Sequence, residues 1–422
     1  MRVHLTEVLQ GLVQASDRPV PYCGIGVVQQ GKIVCRVAAG HRFPGDTNRS
    51  ENAFNTNHLV RVASVSKPFV ALACMRAVQR GLFDLDQDIS QYLDFDLRNP
   101  HFPEKPITPR TILSHTSSLR DADHYSLPPG QHIREFFLPE GMHWNAGAHF
   151  ARPLPGYDPE HLAPGHYYEY CNLGFGVLGT VLERVTGRYF DSLIEEWVLK
   201  PLGLSGGFSP YRFDRNVMAL LTPAYRMDRA TGIWSIQVDD PAAPLPGVDR
   251  QMNPVGVNAT VCSPQGGLRA SIDDLLSFVS FMAARSIPQV PELVNLARCR
   301  SMLMTTEWEY VPDACNGYPN GFLYDGVSRI AGCGLFRTND SFDEFGGNRI
   351  GPDPGGPVFW GHYGDAYGVL SGVLFDPELE YGYCYIIGGS SADPLHYTGR
   401  HSSVSFWEEQ IQDAIIEAFP PG

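Results

Sequence analysis

The chain has 422 residues and a formal net charge of −14. A surface of that sign repels phosphate backbones and anionic membranes, and with no basic run in the sequence it argues against nucleic-acid binding. With 43% hydrophobic and 18% charged residues the composition is that of a globular protein, but one too long for a single ordinary core, so two lobes are expected.

The first segment, MRVHLTEVLQGLVQASDRPV, places Leu5, Val8, Leu9, Leu12 and Val13 at helical spacing, while Glu7, Gln10 and Gln14 interrupt any signal-peptide core. No uninterrupted run reaches the roughly 20 apolar residues that a spanning helix requires. The chain as given is therefore expected to be soluble and cytoplasmic, or periplasmic or secreted if a leader has been removed. YCGIGVVQQGKIVCRVAAG, from Tyr22 to Gly40, reads as an antiparallel hairpin around Gln30 and Gly31.

RVASVSKPFVALACMRAVQRG, from Arg61 to Gly81, is apolar nearly all round from Pro68 to Val78 and predicts a buried helix. Pro68 is tolerable only in a first turn, which puts Ser64 at or just before the helix start. Further helices are expected in TPRTILSHTSSL, LGFGVLGTVLERVTG, YFDSLIEEWVLKPLG and SIDDLLSFVSFMAA, the first two separated by a Pro-, Gly- and His-rich loop over about 120–166 that carries His143, Trp144 and His149. YGVLSGVLFDPELEYGYCYIIGG offers two strands around Asp376-Pro377, and SFWEEQIQDAIIEAF closes with a helix whose Ile411, Ile415 and Phe419 share a face. The fold class expected is α/β of the α+β type: an antiparallel sheet flanked by terminal helices, with an inserted, mostly helical lobe. Approximate bounds are 1–82 and 300–422 for the sheet lobe and 83–299 for the helical one. Nine cysteines without a CxxC pair fit reduced thiols, with one bridge possible among Cys299, Cys315 and Cys333.

Only four lysines occur, Lys32, Lys67, Lys105 and Lys200, and Lys67 stands three places after Ser64. That spacing puts both on one helix face, where backbone N–H groups are unpaired and the helix dipole favours negative charge. Burial lowers a lysine's pKa toward the range in which it accepts a proton, which arginine cannot do. Alone, the pair also fits a capping serine with a snorkelling lysine. Two further motifs give it company. Tyr170 and Asn172 stand one residue apart before a helical pattern, a phenol able to share a lysine's proton and a carboxamide able to hold a substrate carbonyl. His362 and Gly364 occupy the end of a predicted strand, where glycine lets a substrate lie against the backbone and the next amide can complete an oxyanion hole. A second Tyr-x-Asn, Tyr318-Pro319-Asn320, reads as a turn, and GLSGG around Ser205 lacks the strand-to-helix context of an α/β-hydrolase elbow.

Ser-x-x-Lys, Tyr-x-Asn and His-x-Gly in this order, with ITPRTILSHTSSL, KPLGL and GGLRASIDDLLSF between them, resemble the serine β-lactamase and penicillin-binding protein superfamily. The nearer likeness is to its class C β-lactamase, DD-peptidase and family VIII carboxylesterase branch, over about residues 20–390. The resemblance implies the β-lactamase/transpeptidase-like fold, with Ser64 as acylated nucleophile, Lys67 as its base, Tyr170 as proton relay to the leaving group and Asn172 as holder of the substrate carbonyl. It implies His362 in place of the third-motif lysine of class C enzymes, an oxyanion hole from the N–H groups of Ser64 and Asp365, and no metal or cofactor. It also implies that His115 belongs to a structural turn. Two departures stand out: Tyr363 replaces the usual threonine of this motif, and Asp365 follows Gly364. An aspartate near a substrate carboxylate would repel it, so the expected activity is a carboxylesterase on neutral acyl esters. The alternatives are a D-stereospecific amidase or peptidase or a β-lactamase, then an acyltransferase or an inactive binding protein. The partner expected is a small ester or amide.

Overall fold

A computed structural model describes every residue except 47–48, 154, 157, 244–248, 312–313, 315, 318–328 and 344–345. Helix α1 (Arg2–Val13) buries Leu5, Leu9 and Leu12, as their spacing predicts. Strands β1 (Tyr22–Gln29) and β2 (Lys32–Gly40) follow as a hairpin. Gln30 and Gly31 have φ of 51° and 70°, the left-handed pair whose twist suits a two-residue turn. A short β3 (Val60–Arg61) leads through a tight turn, Ala63–Val65, into α2 (Ser66–Gln79), which is buried from Ser66 to Ala77.

Helices α3 (Pro109–Leu113), α4 (Asn172–Thr186) and α5 (Phe190–Ile194) come next, with α5 running on into a wider turn over Glu195–Leu199. A surface helix, α6 (Arg215–Leu220), precedes the hairpin β4 (Ala224–Asp228) and β5 (Ile233–Val238). β6 (Arg269–Ala270) pairs with β3, and α7 (Ile272–Ala283) and α8 (Pro291–Leu303) return the chain to the main sheet. There follow β7 (Trp308–Glu309), β8 (Ile330–Ala331), β9 (Phe336–Arg337), the small hairpin β10 (Phe342–Asp343) and β11 (Gly346–Gly347), and then β12 (Trp360–Ala366), β13 (Val369–Asp376) and β14 (Tyr381–Ile387). β15 (Gly389–Ser390) adds to β4, and α9 (Phe406–Ala418) ends the chain.

The main sheet has the order β2-β1-β14-β13-β12-β9-β8-β7 with every pairing antiparallel. α1 and α9 cover one face, where Trp407, Ile411, Ile415 and Phe419 join Leu5 and Leu9 in one core. α7 covers the other face, packing on β1, β13 and β14. That placement differs from the expected boundary, which put 83–299 wholly in a helical lobe. The reason is a row of glycines on the sheet. A Cβ at Gly26 would lie 2.4 Å from Leu276, and one at Gly382 2.6 Å from Val279, so only glycine lets α7 sit so close. α2 packs against α4, α5 and α8, within the larger of the two main cores.

Eight cysteines are described, and all eight are buried free thiols, Cys299 and Cys333 among them; Cys315 lies outside the described residues. Among the described residues no helix is long and apolar enough to cross a membrane.

The Gly26–Leu276 contact yields a stability test. Leu276→Ala should destabilise by about 2–5 kcal/mol and Gly26→Ala by about 1–3 kcal/mol. The new methyl group in the double variant fills part of the cavity, so chemical denaturation should show it less destabilised than the sum of the two single variants. Simple additivity would mean that the two sites do not pack on each other.

Candidate active site

The turn that presents Ser64 is strained and tightly held. Ala63 adopts a left-handed φ of 47°, which a residue with a side chain rarely tolerates. Three contacts offset that cost: Ser66 Oγ donates to the Ala63 carbonyl at 2.6 Å, the Leu268 N–H donates to Ser66 Oγ at 3.0 Å, and the Val62 N–H donates to the Leu268 carbonyl at 2.9 Å. Ser64 thus stands in the turn just before α2, with Pro68 in the helix's first turn, as the sequence requires.

Lys67 is completely buried and faces Ser64. Its Nζ donates to Ser64 Oγ at 3.0 Å, to Asn172 Oδ1 at 2.8 Å and to the Gln265 carbonyl at 2.9 Å. The ring centres of Tyr170 and Phe175 lie 4.6 and 5.4 Å from the same nitrogen. Burial pushes the Lys67 pKa down to about 7, against a smaller opposing pull from Asp121. At neutral pH a large fraction of Nζ is therefore an amine that can accept the Ser64 proton across that 3.0 Å contact.

Tyr170 and Asn172 reach the same point from the start of α4. Tyr170 is buried, and burial raises its phenol well above its ordinary pKa, against a smaller opposing pull from Ser64, so it rests protonated. His115, with φ of 59°, stacks on Tyr170 at 4.3 Å, and its Nδ1 accepts the Cys171 N–H at 3.1 Å. Burial first, then Lys67 and His362, hold that imidazole neutral. His115 is thus a wall of the site built into a turn, and nothing places it as a base toward Ser64.

A residue that sequence reasoning missed fixes Asn172. Asp121 accepts the Asn172 side-chain N–H at 2.8 Å, the Asn172 backbone N–H at 2.9 Å and the Leu173 N–H at 2.8 Å. The carboxylate satisfies the first unpaired amides of α4 and turns the carboxamide so that its oxygen points to Lys67. A lone aspartate in a loop, 51 residues from its partner, offers no local signal.

The third motif lies on β12, whose alternation settles which side chains reach Ser64. His362 and Gly364 face the site. A Cβ at Gly364 would fall 3.1 Å from the Ser64 nitrogen and 2.6 Å from the Val62 carbonyl, so any larger residue would wedge the nucleophile turn off the strand. The His362 ring is 6.2 Å from that of Tyr170, and its Nδ1 donates to the Tyr363 carbonyl at 2.5 Å. Burial, with Lys67 adding to it, pushes its pKa down to about 3, so it is neutral. Tyr363 faces the other way: its hydroxyl donates to Gln412 of α9 at 3.1 Å and its ring packs on Phe336. Asp365 shares that far face and adds to the burial that pushes Glu408 of α9 up to about 7. The expectation that the side chains of Tyr363 and Asp365 border the substrate is therefore corrected. The two-residue turn at Tyr367-Gly368 makes Ala366 and Val369 the closing pair, so the Asp365 N–H points away from β13, out of the sheet edge.

Residues 8–394 match the family model for Beta-lactamase. The chain belongs to the beta-lactamase family. Esterase EstB of Burkholderia gladioli is 33% identical over 190 residues, 42% of this chain and 44% of the esterase. The D-aminopeptidase of Brucella anthropi is 27% identical over 264 residues, 63% of this chain and 43% of that protein. The aligned stretch thus spans less than half the length of either curated relative. In three dimensions the beta-lactamase/D-alanine carboxypeptidase of Pseudomonas syringae superposes with a TM-score of 0.65 over 99% of both chains at 15% identity, a likeness of fold.

The rival nucleophile motif lacks the context it needs. Ser205 follows the turn that ends at Leu199 rather than a strand, no helix opens at it, the next helical turn beginning at Pro210, and its N–H donates to Asp274. Tyr318 to Asn320 lie outside the described residues. In the long loop, His143 hydrogen-bonds His124 at 2.9 Å and His149 packs edge-on to Phe136, so these rings build the loop's own core.

Asp121→Asn replaces an acceptor oxygen with a donor facing the same N–H groups. An unsatisfied buried polar group costs about 1–3 kcal/mol, so kcat/KM should fall roughly 10- to 100-fold. Slow acylation of Ser64 should remain detectable by mass. Unaltered kcat/KM would show that Asn172 is oriented without Asp121.

Proposed function

We propose that the chain is a serine hydrolase that forms an acyl-enzyme on Ser64, acting on carboxylic esters whose leaving group is uncharged. The observation that carries this reading is the 3.0 Å contact between Ser64 Oγ and a lysine whose burial lowers its pKa to about 7. Neutral Lys67 takes the Ser64 proton as Oγ bonds to the ester carbonyl carbon, and the carbonyl oxygen becomes an oxyanion held by the N–H groups of Ser64 and Asp365. When the carbon–oxygen bond to the leaving group breaks, the Tyr170 phenol gives that oxygen its proton and recovers one from Lys67. Water then attacks the acyl carbon by the same route in reverse. Asn172 holds the substrate and Lys67 together through one carboxamide.

The leaving-group preference rests on His362 rather than on the Asp365 side chain. In class C enzymes a lysine stands here, whereas the buried imidazole carries no charge to anchor a carboxylate. A second reading, hydrolysis of D-amino-acid amides or peptides, is favoured by the similarity to a D-aminopeptidase over 63% of the chain.

Intact-mass analysis with a slow acylating ester should show an adduct on wild type and on Ser205→Ala but none on Ser64→Ala. An adduct persisting on Ser64→Ala would remove Ser64 from this role. Hydrolysis of a short nitrophenyl ester should exceed that of benzylpenicillin, and Asp365→Asn should leave the ratio unaltered, because that side chain faces α9. Comparable penicillin turnover by wild type would refute the leaving-group assignment.

The base assignment has its own pH signature. Lys67 acts unprotonated, so kcat/KM should rise with pH through about 7 and level off above it. Lys67→Arg keeps the charge but not the base and should lose a factor of roughly 100 to 10,000. A flat profile from pH 5 to 9 would mean that another group accepts the Ser64 proton.

A further inference from the structure

Three residues before Ser64, Arg61 carries a guanidinium that the steps above leave unused. Its Nε donates to the Gly266 carbonyl at 2.9 Å, and Gly266 follows Gln265, whose carbonyl holds Lys67. Its Cζ lies 4.8 Å from the ring centre of Tyr367, which is three residues beyond Gly364 at the tip of the β12–β13 hairpin and 44% exposed. Arg61 and Tyr367 therefore flank the oxyanion position from its two strands. Tyr125 lies in electrostatic range of Arg61, Tyr367 and Tyr170 alike, and is 37% exposed.

Among the described residues no carboxylate pairs with this cation, and no hydrogen bond engages its two terminal nitrogens. Its cross-strand neighbour is another cation, Arg269. Asp239, a carboxylate in electrostatic range of Arg61, commits both oxygens to Arg269, at 3.0 and 2.6 Å. Asp121, which also acts on Tyr125, is taken up by the start of α4. Burial and then Arg269 hold the Arg61 pKa below its ordinary value, as expected of a half-buried cation short of a counter-ion.

The direction of the bound substrate follows from Tyr170. The leaving group must lie where Tyr170 can protonate it, at the His362 end of β12. The acyl chain then runs the other way along the strand edge, past Gly364 and Asp365 toward Tyr367. We propose that Arg61, with Tyr367 and Tyr125 beside it, forms an acyl-side subsite for an anionic tail, so that preferred substrates are esters whose acyl group ends in a carboxylate. The proposal rests on the acyl-enzyme reading, and it replaces the expectation of an uncharged acyl group. Three residues of extended chain span at most about 10 Å, so the carboxylate belongs some four to six bonds from the reacting carbonyl, as in half-esters of medium dicarboxylic acids.

The test compares mono-(4-nitrophenyl) adipate with the same ester methylated at its free carboxylate, following nitrophenol release and the Ser64 adduct by mass. Wild type should favour the anionic ester in kcat/KM. Arg61→Met should lower the anionic-to-neutral ratio about tenfold or more, the scale of a charged hydrogen bond, and Arg61→Lys should recover part of it. Calorimetry with the Ser64→Ala protein should show the monoester binding more weakly by a similar factor once Arg61→Met is added, independently of turnover. A ratio that moves less than twofold, or two esters that decline together, would overturn the subsite while the Ser64 adduct keeps the acyl-enzyme reading intact. Absence of any Ser64 adduct would overturn that reading and the subsite with it.

Discussion

Lys67 is wholly buried, and its ammonium form is tolerated there only while Ser64, Asn172 and Gln265 accept its three N–H groups. Much of the surrounding structure keeps those three acceptors in place. Asp121 turns the Asn172 carboxamide, the segment that carries Gln265 continues into β6, and Ser66 ties the Ser64 turn to Leu268 next to β6. Burial that is complete but fully hydrogen-bonded leaves the lysine near the midpoint of its titration, where proton transfer in either direction costs little.

The second constraint is the closeness of β12 to the nucleophile turn. Gly364 lets the strand touch Ser64's backbone, and Ser371 of β13 donates to the Val62 carbonyl at 2.8 Å, locking the turn to the sheet. The strand's two faces then divide the motif between two tasks. His362 and Gly364 serve the site, while Tyr363 joins Tyr383 on Gln412 of α9 and fastens the strand from behind. At one end of this edge the His362 imidazole is neutral, and toward the other, at Tyr367, stands the Arg61 guanidinium. A fold shared with proteins of 15% identity does not choose a substrate. The distribution of charge along this edge is what can.

Short-range patterns were legible in the residues alone. Ser64 and Lys67 share a helix face because three residues nearly complete a turn, and Pro68 marks that turn as the first. Gln30-Gly31 and Asp376-Pro377 mark hairpins because those residues suit the required backbone angles or the chain reversal. The order of the three motifs then carried the family, which the match over residues 8–394 bears out.

What the sequence did not determine depends on residues far apart in the chain. Gln265 is 198 residues from Lys67, and Asp121 is 51 from Asn172, so neither leaves a local pattern. That α7 lies on the sheet leaves no local pattern, because its partners there are absences of side chain, Gly26 and Gly382, whose meaning appears only when a helix lies on them. The side of the strand on which the Asp365 side chain lies is not legible locally, and only the pairing of β12 with β13 and the cover of α9 show it facing away from Ser64. Arg61 had no partner motif in the sequence. Its meaning comes from β3, β6 and the β12–β13 turn meeting beside Ser64, an arrangement that tertiary packing alone decides because its members span 61 to 367.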